Sequence, residues 1–262
     1  MIGVYLSGTG NTKHCITKFM DMVSADSEMI ALSISDEDRI VERIKEHDTV
    51  VIAYPTQFSN APYMVRNFIK RNSNLWSGKK VFCMTTMGAF SGDGTGCCAR
   101  LLRKYGAVIT GGLQIKMPDA VCDSKLLKKT IDQNKEIIRR ADLKIEKAAK
   151  DILELKKYPK EGIGFFAHLV GLLGQRLWFY RKTTDYSRKL KISEVCIGCG
   201  LCADSCPMGN LKIENGKAVS ADRCTMCYHC ISYCPQRAIT LLGDKVYEQC
   251  KFENYSSRGD AT

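Results

Sequence analysis

Short apolar runs alternate with helix-periodic stretches along the first 155 residues of the chain. Five of the runs predict β-strands, at Ile2–Leu6, Glu28–Leu32, Thr49–Tyr54, Lys80–Thr85 and Val108–Lys116. Apolar residues at helical spacing predict helices between and after them, at Thr12–Val23, Asp36–Glu46, Ala61–Arg71, Thr95–Tyr105 and Ser124–Leu155. Strands that alternate with helices form a parallel sheet covered on both faces. Residues 1–155 therefore predict an α/β domain with a doubly wound, five-stranded parallel sheet.

Residues 156–190 are a basic connector, with eight Lys or Arg residues against two acidic ones. Its apolar core, Ile163–Tyr180, is interrupted by a histidine, a glutamine and an arginine. It therefore lacks the roughly 20 clean apolar residues of a membrane span. We expect an amphipathic helix packed between two domains. The alternative is a helix that lies on a membrane surface or an acidic partner through residues 160–182.

Eight of the 14 cysteines stand in two runs of identical spacing, C-x2-C-x2-C-x3-C-P. The runs are Cys196, Cys199, Cys202 and Cys206, and Cys224, Cys227, Cys230 and Cys234. This spacing is that of cubane 4Fe–4S sites, in which the fourth cysteine of each run binds the other cluster. It predicts one cluster on Cys196, Cys199, Cys202 and Cys234, and a second on Cys224, Cys227, Cys230 and Cys206. Structural zinc is the alternative, although zinc ribbons usually use paired cysteines without a third.

Residues 191–243 resemble the bacterial two-cluster ferredoxins along the whole stretch. Each half has a cysteine run, a short helix and a strand, with the strands expected at Leu211–Glu214 and Ala238–Leu242. The resemblance implies one-electron transfer at a low potential, roughly −400 mV. It also divides this part of the chain into a ferredoxin domain at 191–243 and a C-terminal tail at 244–262.

A Gly-rich loop follows the first predicted strand and precedes the first helix. It reads Ser7, Gly8, Thr9, Gly10, Asn11, Thr12. Glycines let the backbone curl, hydroxyls donate hydrogen bonds and a helix N-terminus supplies N–H groups, so the loop predicts an anion site. It lacks the Gly-Lys-Ser/Thr of a nucleoside triphosphate loop. A turn without a ligand is the alternative, but open parallel sheets bind ligands at this edge.

Two further loops reach the same edge of the predicted sheet, after the third and fourth strands. Each combines small or polar residues with one aromatic side chain, which suits a planar ring held by stacking and backbone hydrogen bonds. The candidate binding residues of the second loop, after the third strand, are Pro55, Thr56, Gln57 and Phe58. Those of the third loop, after the fourth strand, are Thr86, Met87, Gly88, Phe90 and Gly92.

The three loops together resemble the flavodoxins. The resemblance rests on S-G-T-G-N-T, on P-T-x-F with Pro62 and Phe68 beyond it, and on the Gly-rich third loop. It implies that residues 7–12 hold the phosphate of FMN and that Phe58 or Phe90 flanks the isoalloxazine ring. Flavodoxins often carry Trp or Tyr at the ring and are usually acidic, unlike this chain. With the cysteine runs, the chain resembles the flavodoxin–ferredoxin fusion proteins of anaerobic bacteria and archaea.

The predicted cofactors favour an electron-transfer protein that passes low-potential electrons between two 4Fe–4S clusters and FMN. The alternative is a flavin-dependent reductase of a small organic substrate supplied by its own clusters, although the sequence offers no recognisable acid to protonate one. A net charge of +11 would also suit a cluster-bearing sensor on nucleic acid, but nothing else supports that function. We expect redox protein partners, acidic ones included, and no nucleic acid; a homodimer is a further candidate.

The composition favours a folded protein of a reducing compartment. Hydrophobic residues make up 45% of the chain and charged residues 26%, which excludes wholesale disorder. The chain opens MIGVYLSGTGNT, without the pattern of a secretory signal peptide. Paired cysteine runs indicate metal centres rather than disulfides, so we expect a cytoplasmic location.

Overall fold

The computed structural model of this protein describes residues 1–171, 173, 177, 185, 186 and 188–256. The strands of its N-terminal part are β1 (Ile2–Tyr5), β2 (Glu28–Ala31), β3 (Thr49–Pro55), β4 (Lys80–Met87) and β5 (Val108–Lys116). The α-helices that alternate with them and follow them are α1 (Asn11–Val23), α2 (Glu37–Lys45), α3 (Tyr63–Arg71), α4 (Gly94–Lys104) and α5 (Ile131–Leu155). A 3-10 helix at Ser73–Trp76 precedes β4.

All five strands are parallel, and they lie in the order β2-β1-β3-β4-β5. This is the doubly wound order of the flavodoxin-like fold, in which a ligand binds at the switch point between β1 and β3. Apolar side chains of α2, α3 and α4 cover one face of the sheet, and those of α1 and α5 cover the other. The predicted doubly wound five-stranded parallel sheet is confirmed.

Two helices begin later than the hydrophobic pattern predicts, each for a local reason. Ala61 precedes Pro62, a position that disfavours helical backbone, and α3 begins only at Tyr63. At the start of α5, Gln133 N donates to Thr130 Oγ1 at 3.2 Å and Thr130 N donates to Gln133 Oε1 at 3.0 Å. This capping box fixes the start of α5 at Ile131, so residues 124–130 remain a loop.

The connector begins along the edge of the sheet. Gly112 of β5 donates to Pro159 O at 2.8 Å and accepts from Glu161 N at 2.9 Å, so this segment covers the edge strand. Helix α6 (Phe165–Gly171) follows. Most of the predicted connector helix, and of the predicted membrane-contact stretch 160–182, lies outside the described residues. Within the described ranges, no helix combines the length and the apolar character that a membrane crossing requires.

The C-terminal part is built from short elements. Its strands are β6 (Lys191–Ile192), β7 (Leu211–Glu214), β8 (Lys217–Ser220) and β9 (Ile239–Thr240). Its helices, α7 (Leu201–Asp204) and α8 (His229–Tyr233), each carry the third cysteine of one run. β6 pairs with β9 and β7 with β8, both antiparallel, around an apolar core of their own. The predicted small α+β ferredoxin-type unit is therefore present; of its predicted tail, residues 257–262 lie outside the described residues.

Candidate functional site

The loop after β1 forms a backbone cradle at the N-terminus of α1. Gly10 adopts a left-handed conformation with φ of 95°, which lets the chain turn into the helix. Lys13 N donates to Ser7 Oγ at 3.2 Å, and His14 N donates to Gly10 O at 2.9 Å. The N–H groups that come before them have no acceptor one helical turn back, as at any helix start. They are available to an anionic ligand.

The side-chain amide of Asn11 is buried in this cradle, and only one of its two polar atoms has a hydrogen-bond partner in the described part of the chain. Its Nδ2 donates to Pro118 O at 2.8 Å, which fixes the orientation of the amide. Its buried Oδ1 accepts no hydrogen bond from the described part of the chain. A buried acceptor without a donor is unfavourable by about 1–3 kcal/mol. A ligand with hydroxyl groups, such as the ribityl chain of FMN, would supply that donor.

One cavity joins the three predicted loops at the carboxyl ends of β1, β3 and β4. Of the predicted FMN residues, those that line it are Ser7, Gly8, Thr9, Asn11, Thr12, Pro55, Thr56, Gln57, Phe58, Thr86, Met87 and Gly88. Gly10 and Gly92 instead shape the turns of their loops, both with positive φ. The side chain of Phe90 is 46% exposed and lies outside the lining. Of the two aromatic rings expected beside a flavin, Phe58 thus borders the cavity and Phe90 does not.

A fourth loop, between β5 and α5, closes the cavity, and the sequence analysis missed it. Residues 117–121 all line the cavity, and Asp119 is the acidic member. Val121 N donates to Asp119 Oδ1 at 2.8 Å, while Oδ2 packs against Gly88, where a Cβ would lie 2.2 Å from it. Burial raises the pKa of Asp119 above its ordinary value. No local pattern in MPDAV distinguishes this carboxyl group from that of a solvated loop residue.

The fourth cysteine of the first run joins the first three cysteines of the second run. One small cavity is lined by Cys206, Cys224, Cys227 and Cys230. Asn210 N donates to Cys206 Sγ and Met226 N donates to Cys224 Sγ, both at 3.3 Å. Burial raises the pKa of Cys224 to about 11 and that of Cys227 to about 12. Thiolates at these positions therefore need a bound cation such as iron.

The other four predicted ligands are also brought together. Around the thiol of Cys202 lie Cys196, Cys199 and Cys234. Ala218 N donates to Cys196 Sγ at 3.5 Å, and Ala238 N donates to Cys234 Sγ at 3.3 Å. Among the described residues, no three Cys, His, Asp or Glu side chains converge closely enough to hold a single metal ion. A cubane cluster does not require such convergence, because each of its four irons takes one thiolate.

The two cavities share a wall, because Cys227 borders both of them. The loop around Cys227 lies directly on the first loop, and a Cβ at Gly8 would meet Cys227 O at 1.7 Å. His229 Nδ1 donates to Gly8 O at 2.8 Å, and Gln57 Nε2 donates to Thr225 O at 2.7 Å. The backbone of a cluster ligand is thus in contact with the cradle of the first loop.

Asp123 fastens the C-terminal part of the chain to the fourth loop. Its side chain is buried, with 2% exposed. Tyr228 Oη donates to Asp123 Oδ1 at 3.0 Å. Three consecutive backbone N–H groups, those of Leu241, Leu242 and Gly243, donate to Oδ2 at 2.6, 2.9 and 3.1 Å. The sequence analysis did not single out Asp123, whose partners stand more than a hundred positions away.

The assembled residues fit FMN and two cubane clusters. The first loop offers N–H donors for a phosphate. Among the described residues, the acceptor oxygen of Asn11 has no donor, which a hydroxyl group could supply, and Phe58 presents an aromatic surface to a flat ring. The eight predicted thiols form two groups of four, and N–H groups donate to sulfur in both, as around iron–sulfur clusters.

Replacing Asp123 with alanine should loosen the C-terminal part. Several buried donors would lose their acceptor, and each loss costs about 1–3 kcal/mol. We therefore expect the free energy of unfolding to fall by about 3 kcal/mol or more. The measurement is the midpoint of denaturant-induced unfolding, monitored through the absorbance of the clusters. Asp123→Asn, which keeps the shape and an acceptor oxygen, should fall between the two proteins. Asp26→Ala, at an exposed position, is the control; an equal shift in that variant would contradict the role of Asp123.

Residues 188–242 match the family described as the 4Fe-4S dicluster domain. An uncharacterized ferredoxin of Methanocaldococcus jannaschii is 47% identical over 53 residues, which cover 18% of this chain and 69% of that protein. A ferredoxin of Methanothermococcus thermolithotrophicus is 42% identical over 63 residues, 22% of this chain and 93% of that protein. The match to a component of an ion-translocating oxidoreductase complex of Methanosarcina acetivorans, 40% identical over 47 residues, spans only 18% of each chain.

Solved flavodoxin structures align with the N-terminal part. That of Megasphaera elsdenii is 25% identical, with a TM-score of 0.39 over 45% of this chain and 89% of its own. A flavodoxin from the domain Archaea is 20% identical, with a TM-score of 0.39 over 57% of this chain and 97% of its own. Scores this low carry no argument, so the N-terminal assignment rests on the strand order and the loops. The chain therefore belongs to the 4Fe–4S dicluster ferredoxins through its C-terminal domain and joins that domain to one of flavodoxin-like fold, as a flavodoxin–ferredoxin fusion.

Proposed function

We propose that this iron–sulfur protein passes low-potential electrons between its two 4Fe–4S clusters and FMN within one chain. The observation that carries the proposal is that Cys227, a predicted ligand of the second cluster, also borders the cavity proposed for FMN. FMN accepts one or two electrons, whereas each cluster passes one. Covalent linkage holds the carriers at a high effective concentration, so that exchange need not wait for diffusion.

The residues of the cavity have separate roles in this proposal. Residues 7–12 bind the FMN phosphate at the N-terminus of α1, where N–H groups and the helix dipole favour an anion. Phe58 contacts the flat ring. Gln57 Nε2 donates to the carbonyl oxygens of Thr225 and Met226, at 2.7 and 3.2 Å, so the cluster loop steadies the loop after β3. The FMN site and the second cluster are therefore expected to form as one unit.

The two predicted clusters face different surroundings, which supports different roles. None of the four predicted ligands of the second cluster is exposed, and one of them, Cys206, packs against the core of the N-terminal domain. Beside the first cluster Cys199 is exposed, and the neighbouring apolar side chains Ile197 and Leu201 are 61% and 53% exposed. Exposed apolar side chains around a redox centre suit docking of another protein. We assign exchange with a redox partner to the first cluster and exchange with FMN to the second.

The partner and the location follow from charge and from cysteine chemistry. A net charge of +11 favours acidic redox proteins, because complementary charge speeds encounter. Eight of the fourteen cysteines stand in the two cluster runs, as expected of a chain that keeps its thiols for metal centres in a reducing compartment. A cytoplasmic location is therefore part of the proposal.

Purification without oxygen should yield a protein with about eight irons and one FMN per chain, since each cubane holds four irons. Metal analysis and flavin extraction measure this composition. Zinc in place of iron, or fewer than about four irons per chain, would contradict the clusters. Absence of bound flavin after incubation with FMN would contradict the proposed flavin site.

Replacing Cys206 with alanine should slow electron delivery to the flavin, because it removes one ligand of the second cluster. The donor is a reduced ferredoxin, too large to enter the cavity, and flavin absorbance is followed after rapid mixing. We expect a decrease of about tenfold or more, as the linked relay is interrupted. Cys97→Ala, a half-buried cysteine outside both cluster groups, is the control. An unchanged rate in a Cys206→Ala protein that has lost four irons would overturn the proposed route.

A second candidate function, reduction of a small organic substrate, is favoured by Asp119. The cavity holds this carboxyl group beside Gly88, in the loop expected at the flavin. Burial raises its pKa, although the nearby Lys129 lowers it. A carboxyl group that keeps its proton to a higher pH can act as a general acid. Such an acid was the group that the sequence analysis did not find.

Asp119→Asn separates the two functions. If the protein is a reductase, turnover of its acceptor with reduced viologen should fall by about a hundredfold, while reduction of FMN by the clusters is unchanged. The variant should also be more stable near neutral pH, because a raised folded-state pKa makes ionisation of Asp119 unfavourable. That difference should vanish as the pH falls below the ordinary Asp pKa of about 4. Equal turnover by the two proteins would contradict an acid role for Asp119.

A further inference from the structure

Two cysteines outside the cluster runs are in contact, although they lie far apart in the sequence. Cys122 stands in the fourth loop, between Asp119 and Asp123, and Cys250 stands in the C-terminal segment 244–256. Both cysteines are packed in the apolar core of the C-terminal part, where each thiol is the leading influence on the pKa of the other. Both side chains are buried, with 0% and 7% exposed. Neither cysteine belongs to the predicted ligand sets, so both thiols are available for other chemistry.

The segment that carries Cys250 lies across the loops of both proposed cofactor sites. Phe252 N donates to Thr9 O in the first loop at 2.8 Å, and the Phe252 ring stacks on His14 at 4.3 Å between ring centres. Gln249 Nε2 donates to the carbonyl oxygen of Cys234 at 2.7 Å. Whatever holds this segment in place therefore also holds the outer side of the FMN cradle and a ligand loop of the first cluster.

Polar contacts and the buried side chains of Val246, Cys250 and Tyr255 hold the segment in place. Tyr247 N donates to Cys122 O at 3.0 Å, and Lys128 pairs with Glu248 at 2.6 Å. The regular structure of the segment is a single three-residue 3-10 helix, Phe252–Asn254. A terminal segment with so little regular structure can open locally without unfolding the domains. Opening would expose both thiols to a small oxidant.

The surroundings of the two thiols differ in a way that suits exchange. Hydrogen bonds from Cys250 and from Ser232, whose Oγ is 3.0 Å from Cys122 Sγ, lower the pKa of Cys122. The hydrogen bond to Cys122 and burial raise the pKa of Cys250. The thiolate is the nucleophile in disulfide exchange, so Cys122 reacts first and Cys250 resolves the intermediate.

We propose that Cys122 and Cys250 are a redox-switchable pair whose disulfide fastens the C-terminal segment over the first loop and the fourth loop. The oxidant is a low-molecular-weight disulfide. The Cys122 thiolate attacks one of its sulfurs, forming a mixed disulfide and releasing one thiolate. That thiolate takes the proton of Cys250, whose sulfur then displaces the second oxidant thiolate from Cys122. The pair loses two electrons, and the oxidant becomes two thiols once the second thiolate takes up the proton released by Cys122.

Peptide mapping of the cluster-loaded protein tests the pair directly. The protein is treated with oxidised glutathione without oxygen, its cluster absorbance is checked, and free thiols are blocked in denaturant before trypsin digestion. Cleavage after Lys116, Lys125, Lys245 and Lys251 leaves Cys122 and Cys250 each as the single cysteine of its peptide. We expect the linked peptides 117–125 and 246–251, separable by a thiol reductant. Both peptides blocked but unlinked, with the clusters intact, would overturn the proposal.

Two comparisons distinguish a switch from general thiol contact. Cys83 and Cys98 also share a hydrogen bond, but both are 0% exposed, between β4 and α4 in the sheet core. They should stay reduced under the same treatment, and oxidation of both pairs to the same extent would overturn the proposal. Cys250→Ala, which leaves the fourth loop intact, should give glutathione bound to Cys122 and no linked peptide. Should that variant fold poorly, Cys122→Ser removes the attacking thiol instead, and we expect neither a linked peptide nor rapid addition of glutathione to Cys250.

The consequence for the flavin rests on the proposed function and is measured separately. Because the segment lies on Thr9, the disulfide should slow release of bound FMN by about tenfold, and a reductant should restore the rate. Cys250→Ala should release FMN at one rate in either condition. A Cys122–Cys250 disulfide in a protein that binds no FMN would contradict the flavin site but not the redox-switchable pair. Bound FMN without any Cys122–Cys250 disulfide would contradict the redox-switchable pair but not the flavin site.

Discussion

The buried carboxylate of Asp123 is the interaction on which the arrangement of the two cofactor sites depends. Its oxygens accept hydrogen bonds from Tyr228 and from three consecutive backbone N–H groups at residues 241–243. A charged acceptor with this many donors makes some of the strongest hydrogen bonds available inside a protein. Asp123 stands in the fourth loop, two positions after the last residue of that loop that lines the flavin-type cavity, and Tyr228 directly follows Cys227. One contact thus sets the distance between the cavity and a cluster ligand.

The cavity at the sheet edge is consequently a joint product of both domains. Three of its walls come from the loops that any doubly wound sheet places at the carboxyl ends of its strands. The fourth comes from the loop after β5, and the last from the backbone around Cys227. Gly8 lies so close to Cys227 O that any larger residue would separate the domains. Close packing of the two backbones, rather than a flexible tether, supports the proposed transfer inside one chain.

The cysteines of this chain fall into groups that burial and partners distinguish. Eight are in the two runs, where N–H groups donate to four of the sulfurs, two in each run. Cys83 and Cys98 are packed in the sheet core. Cys122 and Cys250 lie in the apolar core of the C-terminal part, where the fourth loop meets the C-terminal segment. Thiols of one residue type thus have different chemistry because they differ in neighbours and access.

The sequence alone determined the doubly wound sheet, the two four-cysteine groups and most of the flavin-type loops. Those features are written in short-range patterns: alternation of apolar runs, fixed cysteine spacing, and glycines between a strand and a helix. Local chemistry absent from the hydrophobic pattern moved one boundary, since the capping box at Thr130 delays α5. Tertiary structure alone decided that Asp119 faces the cavity, that Phe90 does not, and that Asp123 joins the domains. Such contacts link residues separated by long stretches of chain, and they leave no periodic trace because they arise only when the folded surfaces meet.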